Sequence, residues 1–416
     1  MAHRGSTWAP IPCTLAALVL LTSMGCELGG RGRSFTVRDS SGVRIAESSD
    51  PAWNAEEGWT VGDAPILDLG VTDGPEEYQF ALIVGAWRLG DGIVVADRMA
   101  SQIRLYDSEG RFLTSAGGDG DAPGEFRALM AAEAYRGDSI VAWDGGSRRL
   151  SVFDGDGGLG RTQILLLPPP TPQGSGPQSL HIAPAFIGAF EDGTFVMVPP
   201  IVARGSPGDR SGWDATLLHY SADGDSLGTL GVFAAGEYLA PRPGAPMIGT
   251  PFPRPFSSAI RGSRLYVASG SAYEIRVLEP DGRVVESIRS SHRDLALDPD
   301  AEEAWRAAQR QRTSSRNVTP AELERALADV HFPPTLPPFS QILVDSDDHL
   351  WVRDYRLPGS EGPEVWSVFD PEGRLLGDVE TPEGLRVEQI GGEFILGIWT
   401  DDLDVPSVRM YELTRG

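Results

Sequence analysis

No lysine occurs in this chain of 416 residues; all 35 basic residues are arginine. That excludes Schiff-base chemistry, a pyridoxal-dependent reaction and the phosphate-binding lysine of a P-loop. Cysteine is present only as Cys13 and Cys26. The body downstream therefore has no disulfide, thiolate metal site or cysteine nucleophile. Asparagine occurs only as Asn54 and Asn317, and the six histidines include no pair at metal-binding spacing. No G-x-S-x-G, H-E-x-x-H or Walker pattern is found. Positive charge is outnumbered, 35 arginines against 59 acids, for a net charge of −24. Such a surface repels nucleic acid and anionic headgroups, so neither is an expected partner.

Long apolar runs are also missing. The one apolar stretch of note, Leu15 to Leu21, is too short to span a bilayer. With His3 and Arg4 before it and small residues after it, it makes residues 1–25 an export signal. Thr22-Ser-Met-Gly-Cys26 resembles a bacterial lipobox, although Ser23 stands where leucine is usual. Cys26 is then the lipidated residue, and membrane contact is through that lipid only. Residues 26–60 read as a Gly-rich tether followed by a hairpin over 35–45. The expected location is the bacterial cell envelope, lipid-anchored or periplasmic.

What the chain does have is a repeat. Gln102-Ile-Arg-Leu-Tyr-Asp107 has echoes ending at Asp154, Ser221, Glu279, Asp370 and Glu412, and the first five run into Gly110, Gly157, Gly224, Gly282 and Gly373. A second alternating strand precedes each echo, ending at Asp97, Asp144, Pro199, Ser269, Asp354 and Trp399. Further apolar stretches flank the pair, such as Ala81 to Trp87 before it and Arg111 to Ser115 after it. Each unit is thus a four-stranded antiparallel meander, strands A to D, that cannot bury its faces alone. The first two echoes lie 47 residues apart, from Asp107 to Asp154, a blade-like period. The fold class read from this is all-β: a six-bladed β-propeller over 61–413. The sixth unit stops before its strand D, and Pro65 to Gly70 is placed to supply it, so that an N-terminal strand closes the last blade.

The stretch D-G-I-V-V-A-D, followed by I-R-L-Y-D-S-E-G-R-F-L and D-A-P-G-E-F, resembles the NHL-type six-bladed β-propellers, over about residues 61–413. The resemblance implies a ring that binds proteins, nucleic acids or small ligands, with enzymes a minority. Six-bladed lactonases hold a divalent ion with asparagine and acidic ligands, and propeller lyases of the peptide-amidating kind need several histidines. Neither set is present in the blade strands of this chain.

In such a meander the A–B and C–D turns share one rim, and the B–C and D–A connections share the other. The former are short throughout. The insertions, at 166–184, 200–214, 236–255, 290–338 and 355–364, all fall on the latter. Insertions confined to one face mark a binding face. One of them is helical, over about 294–333: Asp298-Pro299 opens one helix, and the capping box Thr319-Pro-Ala-Glu322 opens another. This pair is either a lid over the ring mouth or a pad on the outside of blade four. Strand B ends at the same rim, which makes Asp97, Arg98, Asp144, Ser269, Arg353, Asp354, Tyr355 and Trp399 the candidate ligand contacts. The three aspartates could hold a cation such as calcium, or each could cap its own turn. His349 falls on the short-turn rim, His219 in mid-strand, and His181, His292 and His331 in loops.

The resulting expectation is a monomeric, exported propeller. It binds a protein or small-molecule partner at its long-loop face, with no cofactor and no catalytic residues. The alternative is a propeller hydrolase or lyase with an axial divalent metal on Asp97, Asp144 and Asp354; a structural envelope scaffold is a third possibility.

Overall fold

The recurring hexamer is strand C of a meander, and its last residue shows why it recurs. Asp107 accepts from the backbone N–H groups of Glu109 and Arg111. Asp154 does the same for Asp156 and Gly158, and Asp370 for Glu372 and Arg374. In the third unit the Ser221 hydroxyl takes this place, accepting from Asp223 and Asp225. Each side chain replaces water on a tight C–D turn. The glycine that follows has φ between 77° and 85° at all five positions, a left-handed conformation that a Cβ disfavours.

In this computed structural model the described residues are Met1 and 34–416, apart from 55–56, 243–245, 247, 271 and 314–317. The leader beyond Met1, Cys26 and Asn317 lie outside them. The described chain is mostly β, built from four-stranded antiparallel sheets of the propeller kind. The first sheet comprises Ile83–Leu89, Gly92–Asp97, Gln102–Tyr106 and Phe112–Gly117 as strands A to D. The second comprises Leu129–Ala134, Ile140–Asp144, Arg149–Phe153 and Leu159–Ile164. The third runs Ala185–Ala189, Phe195–Val198, Arg210–Tyr220 and Ser226–Leu239, and the fourth Phe256–Arg261, Arg264–Ser269, Glu274–Leu278 and Val284–Ser290. The fifth is Gln341–Val344, Leu350–Arg353, Glu364–Phe369 and Leu375–Thr381. Leu385–Ile390, Phe394–Thr400 and Pro406–Thr414 make up the sixth, and its fourth strand is Thr60–Leu69, paired antiparallel with Val408 opposite Leu69 and Thr414 opposite Thr60.

Apolar cores lie between successive sheets rather than within them. Trp87 and Ile103 of the first meet Leu129 and Ile140 of the second. Trp143 of the second meets Phe195 and Tyr220 of the third. The series continues to Trp351 and Trp366 of the fifth against Leu385 and Tyr411 of the sixth, and then to Leu396 and Val408 of the sixth against Ile93 and Tyr106 of the first. The leading strands are neighbours in the same order, and Leu385–Ile390 lies beside Ile83–Leu89. Side chains staple them across the gaps. The Gln389 amide accepts from Arg88 N (2.7 Å), Ser257 Oγ accepts from Ile342 N (2.9 Å), and Gln341 donates to the Val387 carbonyl (3.2 Å).

The N-terminal hairpin, Phe35–Ser40 and Val43–Ser48, adds to the outer edge of the fourth sheet, with Val43–Ser48 parallel to Val284–Ser290. The insertions 166–184 and 200–214, which read as structured loops, instead contribute a further sheet. Ile201–Gly205 pairs with Thr171–Gly174 on one side and Gln178–Ile182 on the other. His181 therefore lies in a strand and not in a loop. No helix among the described residues is long and apolar enough to cross a membrane.

Candidate functional site

The strand-end aspartates divide into two kinds. Asp97, 1% exposed, accepts from the backbone N–H groups of Ala81, Leu82, Met99 and Ala100. Asp144, also 1% exposed, accepts from Arg127 N, Ala128 N, Gly146 N and the Ser147 hydroxyl. Each ties the entry of strand A to the turn after strand B, which is possible because a tight turn follows at once. Burial opposes ionisation of Asp144, but the Ser147 hydroxyl and the converging N–H groups outweigh it and hold the carboxyl below its ordinary range.

Asp354 has no tight turn to cap, because a long B–C connection follows it. It faces the fourth sheet and pairs with Arg293 at 2.8 Å. Arg293 also pairs with Asp378 at 2.7 Å, and the Ser367 hydroxyl lies 3.1 Å from Asp378 Oδ1. His292 bridges two serines, Nδ1 to Ser290 Oγ at 2.6 Å and Nε2 to Ser367 Oγ at 2.9 Å. Burial pushes Asp354 up to about 6, with Arg293 opposing and Asp378 assisting, while burial and then Arg293 hold His292 down to about 4. Beside them the Tyr273 hydroxyl and Arg293 Nε are buried without a geometrically sound hydrogen bond among the described residues. Ser367 is 0% exposed, so this serine–histidine contact is a polar joint between sheets and not a reachable nucleophile. Sequence reasoning reached Asp354 alone, because its partners carry no repeat signature.

Arg353, one residue earlier, faces the sixth sheet. Its Nε donates to Ser340 Oγ at 2.8 Å, and its guanidinium lies 5.9 Å from the centre of the buried Trp366 ring. Among the described residues no carboxylate stands within ion-pair distance of it. Burial is the main influence lowering its pKa; the guanidinium groups of Arg356 and Arg386 add to this, and Glu364 opposes it.

The remaining candidates make separate contacts. Arg98 donates its backbone N–H to the Leu82 carbonyl. Ser269 ends its strand opposite Phe256. Trp399 lies under the Arg409 guanidinium, 3.5 Å from its ring centre, and Asp68 holds that arginine at 3.0 Å. Tyr355 meets Phe252 edge-on at 6.1 Å and joins the core of the helical insertion. That core holds Phe252, Ala301, Trp305, Leu323 and Leu327, with Tyr355 and Leu357 against it. The two helices, Pro299–Thr313 and Pro320–Ala328, thus pack on residues from the 236–255 and 355–364 insertions. Among the described residues of this core none belongs to a strand of the fourth sheet. Gly249 N donates to Gln309 Oε1 at 2.8 Å, and Arg242 pairs with Asp329 at 2.8 Å. Phe252 has φ 43°, a strained value for a residue with a Cβ, and the Arg210 guanidinium holds it there through the Pro251 and Phe252 carbonyls.

Among the described residues no three His, Cys, Asp or Glu side chains come together as a metal site. Asp97, Asp144 and Asp354 are not gathered, and each is already engaged as described. His219 is buried against Phe190, His349 lies 3.3 Å from Asp345, and His331 lines a groove of about 400 Å³ beside the helices.

On the innermost strands Glu133 is enclosed by protein yet keeps part of its surface accessible, and it accepts from Ala189 N at 2.9 Å. Burial pushes it up to about 8, with the Ala189 hydrogen bond opposing. Below about pH 4 both folded and unfolded carboxyls carry their proton. As pH rises from there toward 8 the unfolded chain ionises first, so the folded state loses stability. Glu133→Gln keeps the acceptor and is expected to exceed wild type by roughly 1–3 kcal/mol at about pH 9 and to match it at about pH 4. Paired thermal melts check this; equal melting at both pH values would mean that the carboxylate is fully hydrated.

No family model matches this chain, and no curated protein matches it. Solved structures do. A putative exported protein from Bacteroides fragilis aligns at 10% identity over 89% of this chain and 99% of that one, with a TM-score of 0.46. A gluconolactonase from Xanthomonas campestris aligns at 15% identity over 85% and 100%, with a TM-score of 0.39. A virginiamycin B lyase from Staphylococcus aureus aligns at 11% identity over 86% and 99%, also at 0.39. Likeness of this degree carries no activity across, and the architecture rests on the sheets themselves.

Proposed function

We propose that this chain is a closed six-bladed β-propeller, exported and lipid-anchored through Cys26, that acts as a monomer. It binds a protein or small ligand at its long-loop rim and performs no chemistry itself. The six meanders, the cores shared between successive sheets and the pairing of 60–69 with 406–414 support the closed ring. One observation carries the functional reading: three separate long-rim insertions share a single apolar core around Phe252 and Trp305. Burying two such aromatic side chains is worth roughly 3–6 kcal/mol, which is more structure than drifting surface loops need. The extra sheet is fastened in the same way, since Gln173 donates to the Asp214 carbonyl (2.8 Å) and accepts from its N–H (2.7 Å). On the opposite rim the connections within each sheet are tight turns, and Ala52, Trp53, Trp59 and Arg415 pack beside those of the fifth and sixth sheets.

The test is a panel of metabolites and peptides screened by thermal shift. Compounds that stabilise the wild type are expected to lose their effect when residues 298–332 are replaced by a short Gly/Ser linker. They are expected to keep it in Asp91→Ala, on the opposite rim. Ligands that are indifferent to the linker replacement would sink the rim assignment.

A further inference from the structure

We propose that Arg353 forms an oxyanion-binding site at the long-loop rim between the fifth and sixth sheets, receiving a carboxylate or phosphate group of the ligand. This rests on the rim-binding reading above and specifies the chemistry of what is bound.

The first argument is positional. The residue before the strand-end aspartate is Ala96 in the first sheet and Trp143 in the second, both apolar and at most 1% exposed. The matching residue of the fourth sheet is Ala268, also buried. Only packing is asked of this position there, so an arginine in the fifth sheet departs from the repeat. The second argument is its unmet hydrogen bonding. Arg104, which is more deeply buried, directs its nitrogens at the Gln79 and Glu77 carbonyls and the Gln102 side chain. Arg293, across the fifth sheet, is paired twice. Among the described residues Arg353 has one side-chain acceptor, the Ser340 hydroxyl at Nε, which leaves its two terminal nitrogens without a protein partner on a side chain that is only partly buried. A partly desolvated cation without a counter-charge raises the free energy of the unliganded protein, and an incoming oxyanion relieves it.

The third argument is preorganisation. Trp366 is 0% exposed, and its ring N–H donates to Thr381 Oγ1 at 3.2 Å, so the platform under the guanidinium is fixed. A planar guanidinium held at Nε presents its two outer nitrogens as the fork that binds carboxylate or phosphate in bidentate fashion. The fourth argument is the local field. Glu364 is held by Arg356 at 2.9 Å and Glu388 by Arg386 at 2.8 Å, so the nearby acids are neutralised. In a chain of net charge −24 this leaves a local opening of positive potential.

The experiment is titration of the full-length protein with inorganic phosphate and, separately, with succinate. Thermal shift and calorimetry are the readouts, at fixed ionic strength with chloride as the control. Saturable binding of at least one oxyanion is expected in wild type, weakened about tenfold or more in Arg353→Met. Arg353→Met should melt no lower than wild type in chloride, since an unpaired charge has been removed. Should it fail to fold, Ser340→Ala, which frees the guanidinium, is expected to weaken the same binding. Phosphate alone binding identifies a phosphoryl ligand, and succinate alone a carboxylate. No saturable effect of either anion beyond chloride, or identical binding by wild type and Arg353→Met, overturns the site. If other panel compounds then still distinguish the intact rim from the linker variant, the rim reading survives; if none does, both fall.

Discussion

A chain lacking residues 60–69 is expected to lose its cooperative melting transition. This segment supplies the fourth strand of the sixth sheet, paired from Thr60 opposite Thr414 to Leu69 opposite Val408 with two register shifts between. Leu69 is 3% exposed and shares a core with Phe80, Ile83, Ile398 and Val408, so it ties the sixth sheet to the first. Val61 and the neighbouring Trp59 pack near Tyr411 and Leu413 on the other side. The Arg415 guanidinium stands 4.4 Å above the Trp59 ring while pairing with Asp345 at 2.8 Å. Deletion strips the backbone partners from 406–414, bares a sheet edge and opens two cores together. At roughly 2 kcal/mol for each large apolar side chain returned to water, the loss approaches the 5–15 kcal/mol that typically holds a domain together. Agreement between calorimetric and van 't Hoff enthalpies, present in wild type and absent in the deletion, is the measurement. A deletion that melts like wild type would show that the sheets stand without the strand.

The second large effect is expected at Asp144. Asp144→Ala removes the acceptor of three backbone N–H groups and one hydroxyl at a side chain that is 1% exposed. Water has little access to replace it, so the change should cost about 3–5 kcal/mol. Asp144→Asn keeps one acceptor oxygen and should fall between the two. The pH dependence provides a separate signature. The folded carboxyl titrates below its ordinary value, so its contribution is complete above about pH 4 and is lost as pH falls through the folded pKa. Wild type and Asp144→Ala should therefore converge in urea-unfolding free energy on acidification. A constant gap down to about pH 2 would assign the loss to packing instead of the carboxylate.

Much of the framework is legible in the chain because it is written in local chemistry. The glycine of each C–D turn sits at a fixed offset from an alternating strand in five units, preceded by an aspartate in three, a serine in one and a glutamate in one, and that combination survives even where the strand residues drift. A closing strand could be expected at Pro65–Gly70 because the sixth unit lacks a strand D, and the strand in fact runs from Thr60 to Leu69. The extra sheet escaped notice for an equally physical reason. Its strand Thr171–Gly174 contains Pro172, which has no N–H to donate, and a proline there argues against a strand unless it lies at an edge, as it does here. Strand C of the third sheet starts at Arg210, well before the hexamer echo, because its length is set by pairing with Ser226–Leu239 and not by the repeat. The polar joint around Asp354 was out of reach for a different reason: Arg293 and Asp378 are 85 residues apart, and no periodicity links them.

The pairing of 60–69 with 406–414 also dictates a schedule. A nascent chain makes one half of its final seam early and must wait for almost everything between before the other half leaves the ribosome. During that interval residues 60–69 are an unmated strand, open to any extended segment that passes. Prematurely terminated products keep that lone strand permanently, which makes them candidates for mispairing with one another rather than merely shorter versions of the protein.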